Sequence, residues 1–379
     1  MKKSLLILTL TLGLGTLAKA QTAPAKPDTA KAAAPAAPAP APDAPLSITG
    51  SVDTYFKYDF SGYIDPNTGT SNILTSFANE QNSASIGMVD IKLAKTSGKA
   101  SFVGELGFGP RGQIQSIPDA NPKSGGLGSF HVQNLYVNYN LTDKFALTAG
   151  YMQTFIGYEV IPATGNFNYS TSHLFTNGPF ENAGIKGTYT FSPKASLMVG
   201  LFNNWNVYQE FSGVNNLGIQ LMLAPAKGWT AYLNFISGSP TGTEYDLTTT
   251  YQITDAFKLG LNAADYTSGS ASGGGFSGAA LYAQYAFTPK FTLGGRGEYF
   301  QPKSYTTSGP TTGSTVTVNP ASTVAFTLSG NIHLGSALTL IPEFRIDSDS
   351  QLDYYAHSNS TGLDSKSASQ FVLAAVYAF

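Results

Sequence analysis

The stretch GFGPRG (107–112) has the G-x-G-x-x-G spacing that lets a backbone approach a pyrophosphate at a helix N-terminus. The next residues, QIQSIPDANPKSGG, carry two prolines and no helical periodicity, so the segment reads as a strand running into a loop. The four histidines, His131, His173, His333 and His357, form no H-x-x-x-H pair. The chain has no cysteine, which removes thiolate metal sites and disulfides alike. His131 and His333 stand in strand-like stretches among serines, where a barrel-wall Ser–His hydrolase is conceivable. No G-x-S-x-G elbow accompanies them, and no nucleophile–base pair offers itself for a geometric test. These residues predict no catalytic group, no metal and no cofactor.

The side chains left to do chemistry are charges set in period two. In 48–60, Asp53, Lys57 and Asp59 oppose Ile48, Val52, Phe56, Tyr58 and Phe60. In 88–93, Asp90 and Lys92 oppose Val89, Ile91 and Leu93. In 291–299, Arg296 and Glu298 oppose Phe291, Leu293 and Tyr299, and in 338–347, Glu343, Arg345 and Asp347 oppose Leu338, Leu340, Phe344 and Ile346. Glu105, Lys186, Glu244 and Asp246 fall on the charged side by the same alternation. A strand places alternate residues on opposite faces, so each stretch has one ionic and one apolar face. A soluble sandwich shows the same period with its apolar face inward. A membrane barrel inverts it, because Lys or Arg facing lipid at the midplane costs about 2–4 kcal/mol. Composition and export decide between them.

Charged residues make up only 12% of the chain and aromatics another 12%, with 24 Phe, 21 Tyr and 40 Gly. A soluble domain carries about 25% charge. The start, MKKSLLILTLTLGLGTLAKA, joins Lys2 and Lys3, an apolar run from Leu5 to Leu17 and a small-x-small site at Ala18–Ala20. It reads as a secretory signal peptide over 1–20, cleaved after Ala20, because the apolar run falls short of the ~20 residues a span needs. Removing Lys2, Lys3 and Lys19 leaves 18 basic against 23 acidic side chains, a formal charge of −5, which argues against nucleic acid as a partner. No later apolar run is long enough for a transmembrane helix. Residues 21–45 are Ala/Pro low complexity and read as a periplasmic linker. The remaining 46–379 read as an all-β, transmembrane, antiparallel up-and-down barrel.

Turn signals supply the strand count. LTDKFALTAG (141–150), FSPKASLMVG (191–200), ITDAFKLGL (253–261) and FTPKFTLGG (287–295) repeat one tight-turn phrase. Looser versions occur at 95–100, 224–229 and 334–338. Between them lie polar connections at 61–81, 110–128, 156–179, 268–275, 303–320 and 350–365, with brief ones near 206–211 and 239–241. Seven short turns and eight connections join sixteen strands, with both termini on the short-turn, periplasmic side. The third connection carries Tyr158, Ile161, Phe167, Tyr169, Leu174, Phe175 and Phe180 beside Glu159 and His173, enough apolar surface to fold into the lumen and constrict it, the alternative being a surface flap or a subunit contact.

The segment YMQTFIGYEVIPATGNFNYSTSHLFTNGPFENAGIKGTY resembles the signature region of the OmpL-like β-barrel porins (β-barrel porin-2). The matching residues are Gly157, Glu159, Ile161, Thr164, Gly165, Asn166, Asn168, Tyr169, Ser170, Ser172, Pro179 and Phe180, and the early GSVDTYFKYDF (50–60) is similar too. The resemblance implies an outer-membrane channel for small hydrophilic solutes, and it carries over no binding residue.

The expectation is therefore a passive diffusion porin in outer-membrane lipid. Its pore-lining candidates are Asp53, Lys57, Asp59, Asp90, Lys92, Glu105, Glu159, Lys186, Arg296, Glu298, Glu343, Arg345 and Asp347. Acids exceed bases among the inward charges, which points to a mild cation preference. The alternative is a structural or surface-interaction barrel without an open channel. A TonB-type importer is excluded, since 21–45 are too few and too proline-rich for a plug. Analogy with sixteen-stranded porins points to a homotrimer. The terminal run Phe371, Leu373, Ala375, Tyr377, Phe379 reads as the lipid face of the closing strand, with Phe379 resembling the signal read by outer-membrane assembly machinery.

Overall fold

The computed structural model describes residues 44–111, 130–210, 213–309, 314–351, 354–358 and 362–379, and no side chain at 130. The signal peptide and all of the linker up to 43 lie outside these residues, as does nearly all of the connection at 110–128.

The strands are β1 (Ser47–Asp59), β2 (Ser83–Ser97), β3 (Ala100–Phe108), β4 (Phe130–Asn140), β5 (Phe145–Gln153), β6 (Glu181–Ser192), β7 (Ala195–Phe202), β8 (Asn216–Leu223) and β9 (Trp229–Gly238). They continue as β10 (Gly242–Gln252), β11 (Phe257–Ser268), β12 (Gly275–Thr288), β13 (Phe291–Pro302), β14 (Tyr305–Ser308), β15 (Thr315–Val318), β16 (Thr323–Leu334), β17 (Leu338–Asp349) and β18 (Ser367–Ala378). All but β14 and β15 form one closed antiparallel barrel of sixteen strands, each paired with its neighbour in sequence. β18 returns to β1, with Ser51 opposite Ala378 and Asp59 opposite Gln370. Phe379 extends that closure by exchanging two backbone hydrogen bonds with Gly50, each 3.0 Å long. Closure leaves no unpaired edge, which a bilayer requires because lipid offers no hydrogen bonds.

The recurring turn phrase works through its hydroxyl. Thr142 Oγ1 accepts from the N–H groups of Lys144 and Phe145 at 3.2 and 3.0 Å, and Thr254 does the same for Ala256 and Phe257 at 3.3 and 3.0 Å. Ser192 and Thr288 accept from Lys194 and Lys290 at 3.1 and 3.2 Å. The side chain thereby gives the turn's N–H groups a local acceptor.

Two connections hold more structure than plain loops. In 303–320, β14 and β15 form a hairpin with Tyr305 opposite Val318 and Ser308 opposite Thr315. YTTS and TVTV are β-prone, and their Thr content resembles loop composition when read singly. In the third connection a one-turn helix α1 (His173–Asn177) forms.

Burial follows the period-two pattern in the inverted sense. On β1, β13, β17 and β18 the apolar residues Phe56, Tyr58, Tyr299, Phe344, Leu373 and Tyr377 are exposed, while Asp53, Lys57, Arg296, Glu298, Glu343 and Arg345 are buried. Aromatics gather beside the short turns, among them Tyr139, Tyr189, Phe191, Trp229, Tyr251, Tyr285, Phe287 and Phe379, all exposed. They form the interfacial girdle of a membrane barrel.

Candidate functional site

The segment between β5 and β6 is built by local rules. Pro162 precedes a 3-10 turn at Ala163–Gly165. The Asn166 side chain closes the loop around it, accepting from Val160 N–H at 2.9 Å and donating to Val160 O at 2.6 Å. Ser172 caps α1, its Oγ accepting from Phe175 N–H at 3.0 Å. The helix ends where Gly178 N–H reaches Leu174 O at 3.0 Å, and Pro179 comes directly after. Ile156, Ile161, Tyr169, Leu174, Phe175 and Phe180 are all buried.

Wall carboxylates meet the backbone of this loop. Glu343 of β17 accepts from the N–H groups of Tyr169 and Ser170 at 2.7 and 3.0 Å, and from Ser329 Oγ of β16 at 2.7 Å. Glu298 of β13 accepts from His173 and Leu174 N–H at 3.0 and 2.8 Å, at the first turn of α1. Asp246 of β10 accepts from Gly157 N–H at 3.1 Å. Three strands spread along one arc of the barrel thus present their ionic faces to one loop, so those faces share one interior. Carboxylate to N–H bonds are charge-assisted and roughly twice as strong as neutral ones.

Wall cations meet its carbonyls and its one acid. Arg296 Nη1 donates to Glu159 Oε1 at 2.6 Å and to Ser170 O at 2.9 Å. Arg345 Nη1 donates to Thr171 O at 2.7 Å, its Nε pairs with Asp347 at 2.7 Å, and Asp347 lies 2.8 Å from His173 Nε2. Tyr169 donates its hydroxyl to Asp53 Oδ2 of β1 at 2.6 Å. Burial, and then the adjacent Asp53 charge, push the Tyr169 hydroxyl well above the ordinary phenol range, which keeps it a donor.

Glycines in the wall receive the loop aromatics. A Cβ on Gly260 of β11 would stand 2.3 Å from the Tyr158 hydroxyl oxygen, and one on Gly294 of β13 would stand 2.3 Å from the Phe167 ring. Tyr158 also stacks on Tyr282 with ring centroids 4.3 Å apart. Only the missing side chain allows this approach.

The first connection packs on the third. Lys57 Nζ donates to Ile73 O at 3.2 Å, Ser76 N–H donates to Thr176 Oγ1 at 3.1 Å, and Phe77 meets Phe175 with centroids 5.9 Å apart. Tyr55 of β1 donates its hydroxyl to Glu80. Arg111 lies between the Phe77 and Tyr169 rings, 4.3 and 4.9 Å from their centroids, and its Nε donates to Ile161 O at 2.8 Å.

The arc from β2 to β6 is arranged differently. Lys92 pairs with Glu105 at 3.0 Å, Asn134 Nδ2 donates to Glu105 at 2.7 Å, and Gln133 Nε2 reaches Asp90 at 3.3 Å. Glu181 is fully buried, and neither carboxylate oxygen has a hydrogen-bond partner among the described residues.

Of the thirteen residues singled out from the sequence, Lys92 and Lys186 keep partial solvent contact and the rest are buried. The loop joins Asp53, Glu159, Arg296, Glu298, Glu343, Arg345 and Asp347 into one network. Lys57 and Asp59 face the first connection, through Ile73 O and through Gln81, which donates to Asp59 O at 2.9 Å. Asp90, Lys92 and Glu105 form the separate β2–β4 group, and Lys186 stands on β6. Sequence reasoning missed Arg111, Tyr169 as an anchor, and Glu181.

A closed sixteen-stranded barrel with an apolar exterior, an ionic interior and a loop folded against the inner wall defines the porin class of outer-membrane proteins. The chain matches the family described as "Putative beta-barrel porin-2, OmpL-like" over residues 45–379 and belongs to it. Solved structures share the fold. The outer membrane channel DcaP of Acinetobacter baumannii aligns at TM-score 0.59 and 13% identity, covering 88% of this chain and 97% of that one. The anion-selective porin from Comamonas acidovorans aligns at 0.55 and 11%, covering 88% and 99%. The trimer form of OmpT from Vibrio cholerae aligns at 0.54 and 11%, again covering 88% and 99%. No curated protein matches the chain by sequence.

Proposed function

We propose that this outer-membrane porin is a passive diffusion channel for small hydrophilic solutes and ions, constricted by the loop between β5 and β6. The observation that carries the reading is the attachment of that loop to ionic side chains on β1, β10, β13 and β17. A loop so held narrows the lumen without filling a barrel of this strand number, which is wide enough for water. The inner wall is then a lumen of mixed charge, lined by Asp53, Lys57, Asp59, Asp90, Lys92, Glu105, Lys186, Arg296, Glu298, Glu343, Arg345 and Asp347, with Glu159 from the loop. Buried acids outnumber buried bases among the described residues, which supports a mild cation preference. Single-channel recording in a salt gradient tests both parts. Steps in current with a reversal potential on the cation side are expected.

The packing of the first connection on the third favours a second reading, a surface or structural barrel whose lumen stays shut. Folded protein that never conducts would establish that reading and remove the first. The trimeric OmpT supports a homotrimer here, checked by the mass of the detergent-solubilised complex. Phe379, exposed beside the closing strand pair, serves as the element read by assembly machinery. Its deletion lowers the yield of barrel in membranes far more than it alters the conductance of the barrels that form. Unchanged yield would contradict that role. Residues 1–20 as a cleaved signal and 21–45 as a periplasmic linker complete the proposal, and the N-terminal residue of the mature chain checks the cleavage site.

A further inference from the structure

We infer that the outer wall carries a binding site for an anionic phospholipid of the periplasmic leaflet, in a hollow across β2–β5. The site faces away from the lumen and does not depend on whether the lumen conducts.

Cross-strand pairing builds the hollow from two rows. In one, Lys95 stands opposite Phe102, Phe102 opposite Val137 and Val137 opposite Ala149. In the other, Ser97 stands opposite Ala100, Ala100 opposite Tyr139 and Tyr139 opposite Leu147. Ala100 and Ala149 are short beside Phe102, Val137 and Tyr139, which are exposed on the membrane side. The depression between them measures about 620 Å³. That volume suits a small-molecule site, commonly about 300–1,000 Å³. Apart from the rim the lining is hydrocarbon, which fits acyl chain.

The rim identifies the headgroup. The hollow opens beside two short turns, the end of the barrel that sits in the periplasmic leaflet. Lys95 lies on the lipid-facing parity of β2, where its stem can run along apolar surface with the ammonium at the interface. Lys99, in the next turn, donates its Nζ to Leu141 O at 3.3 Å, which holds its charge over the β4–β5 turn. Lys144 stands in that second turn, and Asp143 is the single acid in the two. Three ammonium groups against one carboxylate beside an apolar hollow match a phosphate with a net negative headgroup. Neutral zwitterionic lipid fits the hollow but not the rim.

The test uses full-length protein in nanodiscs of equal palmitoyl-oleoyl phosphatidylglycerol and phosphatidylcholine. Lipid that stays bound after transfer to detergent is counted by mass spectrometry. The native chain retains phosphatidylglycerol in preference. Lys95→Gln with Lys99→Gln reduces that preference by about five-fold per lysine. Ala149→Phe fills the hollow and releases both lipids, and unchanged heat-modifiable migration on gels certifies that each variant is folded. Equal retention of the two lipids by the native chain would overturn the inference, as would retention that neither variant alters. If Ala149→Phe lowers the mass of the assembly and leaves lipid retention intact, another copy of the chain covers this face and the lipid site is wrong.

Discussion

The inner wall of the barrel has two arcs with the same sequence pattern and different partners. From β10 through β18 to β1, the carboxylates of Asp246, Glu298, Glu343 and Asp53 accept from loop N–H or hydroxyl groups, and Arg296 and Arg345 donate to loop carbonyls. From β2 to β6, Asp90, Lys92 and Glu105 meet side chains of the wall strands β2–β4, and Glu181 meets none among the described residues. Both arcs obey the rule that charge avoids lipid. The first arc uses its charges to hold a loop, and the second pairs Asp90, Lys92 and Glu105 within the wall itself. Identical alternation therefore serves loop attachment in one place and pairing within the wall in the other, and mutations should separate the two.

The largest effect is expected at Arg296→Ala. It strands Glu159 and frees Ser170 O in a buried setting, which costs about 3–5 kcal/mol for a broken buried pair. Urea unfolding from lipid should shift accordingly, and conductance should rise as the loop loosens. Stability and conductance both at native values would show that the loop does not depend on this arc. Glu343→Gln keeps an acceptor but removes the charge shared by two loop N–H groups, with a smaller loss of about 1–3 kcal/mol. Gly294→Leu occupies the space of the Phe167 ring and should destabilise by about 1–3 kcal/mol. Its conductance should increase, because the wall is intact and only the loop moves. A decrease would place the added side chain in the passage instead.

The second arc should respond in the opposite way. Lys92→Gln changes a partly exposed pair, so stability stays within about 1 kcal/mol while the reversal potential moves further toward cations. A stability loss like that of Arg296→Ala would erase the distinction between the arcs. The smallest effect lies outside both. Asp65 accepts backbone N–H bonds from Asn67 and Thr68, which hold its carboxyl below the usual carboxylate range. A carboxyl lowered in the folded state adds stability above its unfolded pKa and loses it as pH falls through the folded value. Acidification through that window should loosen the 65–70 turn, seen in amide exchange, with no change in open-channel current.

Much of the barrel was legible because its causes are local. Each of the seven turn phrases supplies its own hydroxyl, glycine or proline, and each strand sorts its faces by period two. The partners of the loop were not legible, because Tyr169 and Glu343 are 174 residues apart and His173 and Glu298 are 125 apart. No periodicity links such positions. Aromatic richness marked the loop as something that packs, but nothing in GFGPRG marked Arg111 as the cation between two rings. Thr-rich 303–320 hid a hairpin for a related reason, since composition records residue type and not which residues face each other.

By itself the sequence determined the class of protein, the strand count and the side of each strand that meets lipid, because hydrophobic burial and turn chemistry act over a few residues. Only the tertiary structure decided which inward charges hold the loop and which pair within the wall, because a buried charge takes its role from whatever closing the barrel brings within hydrogen-bond reach.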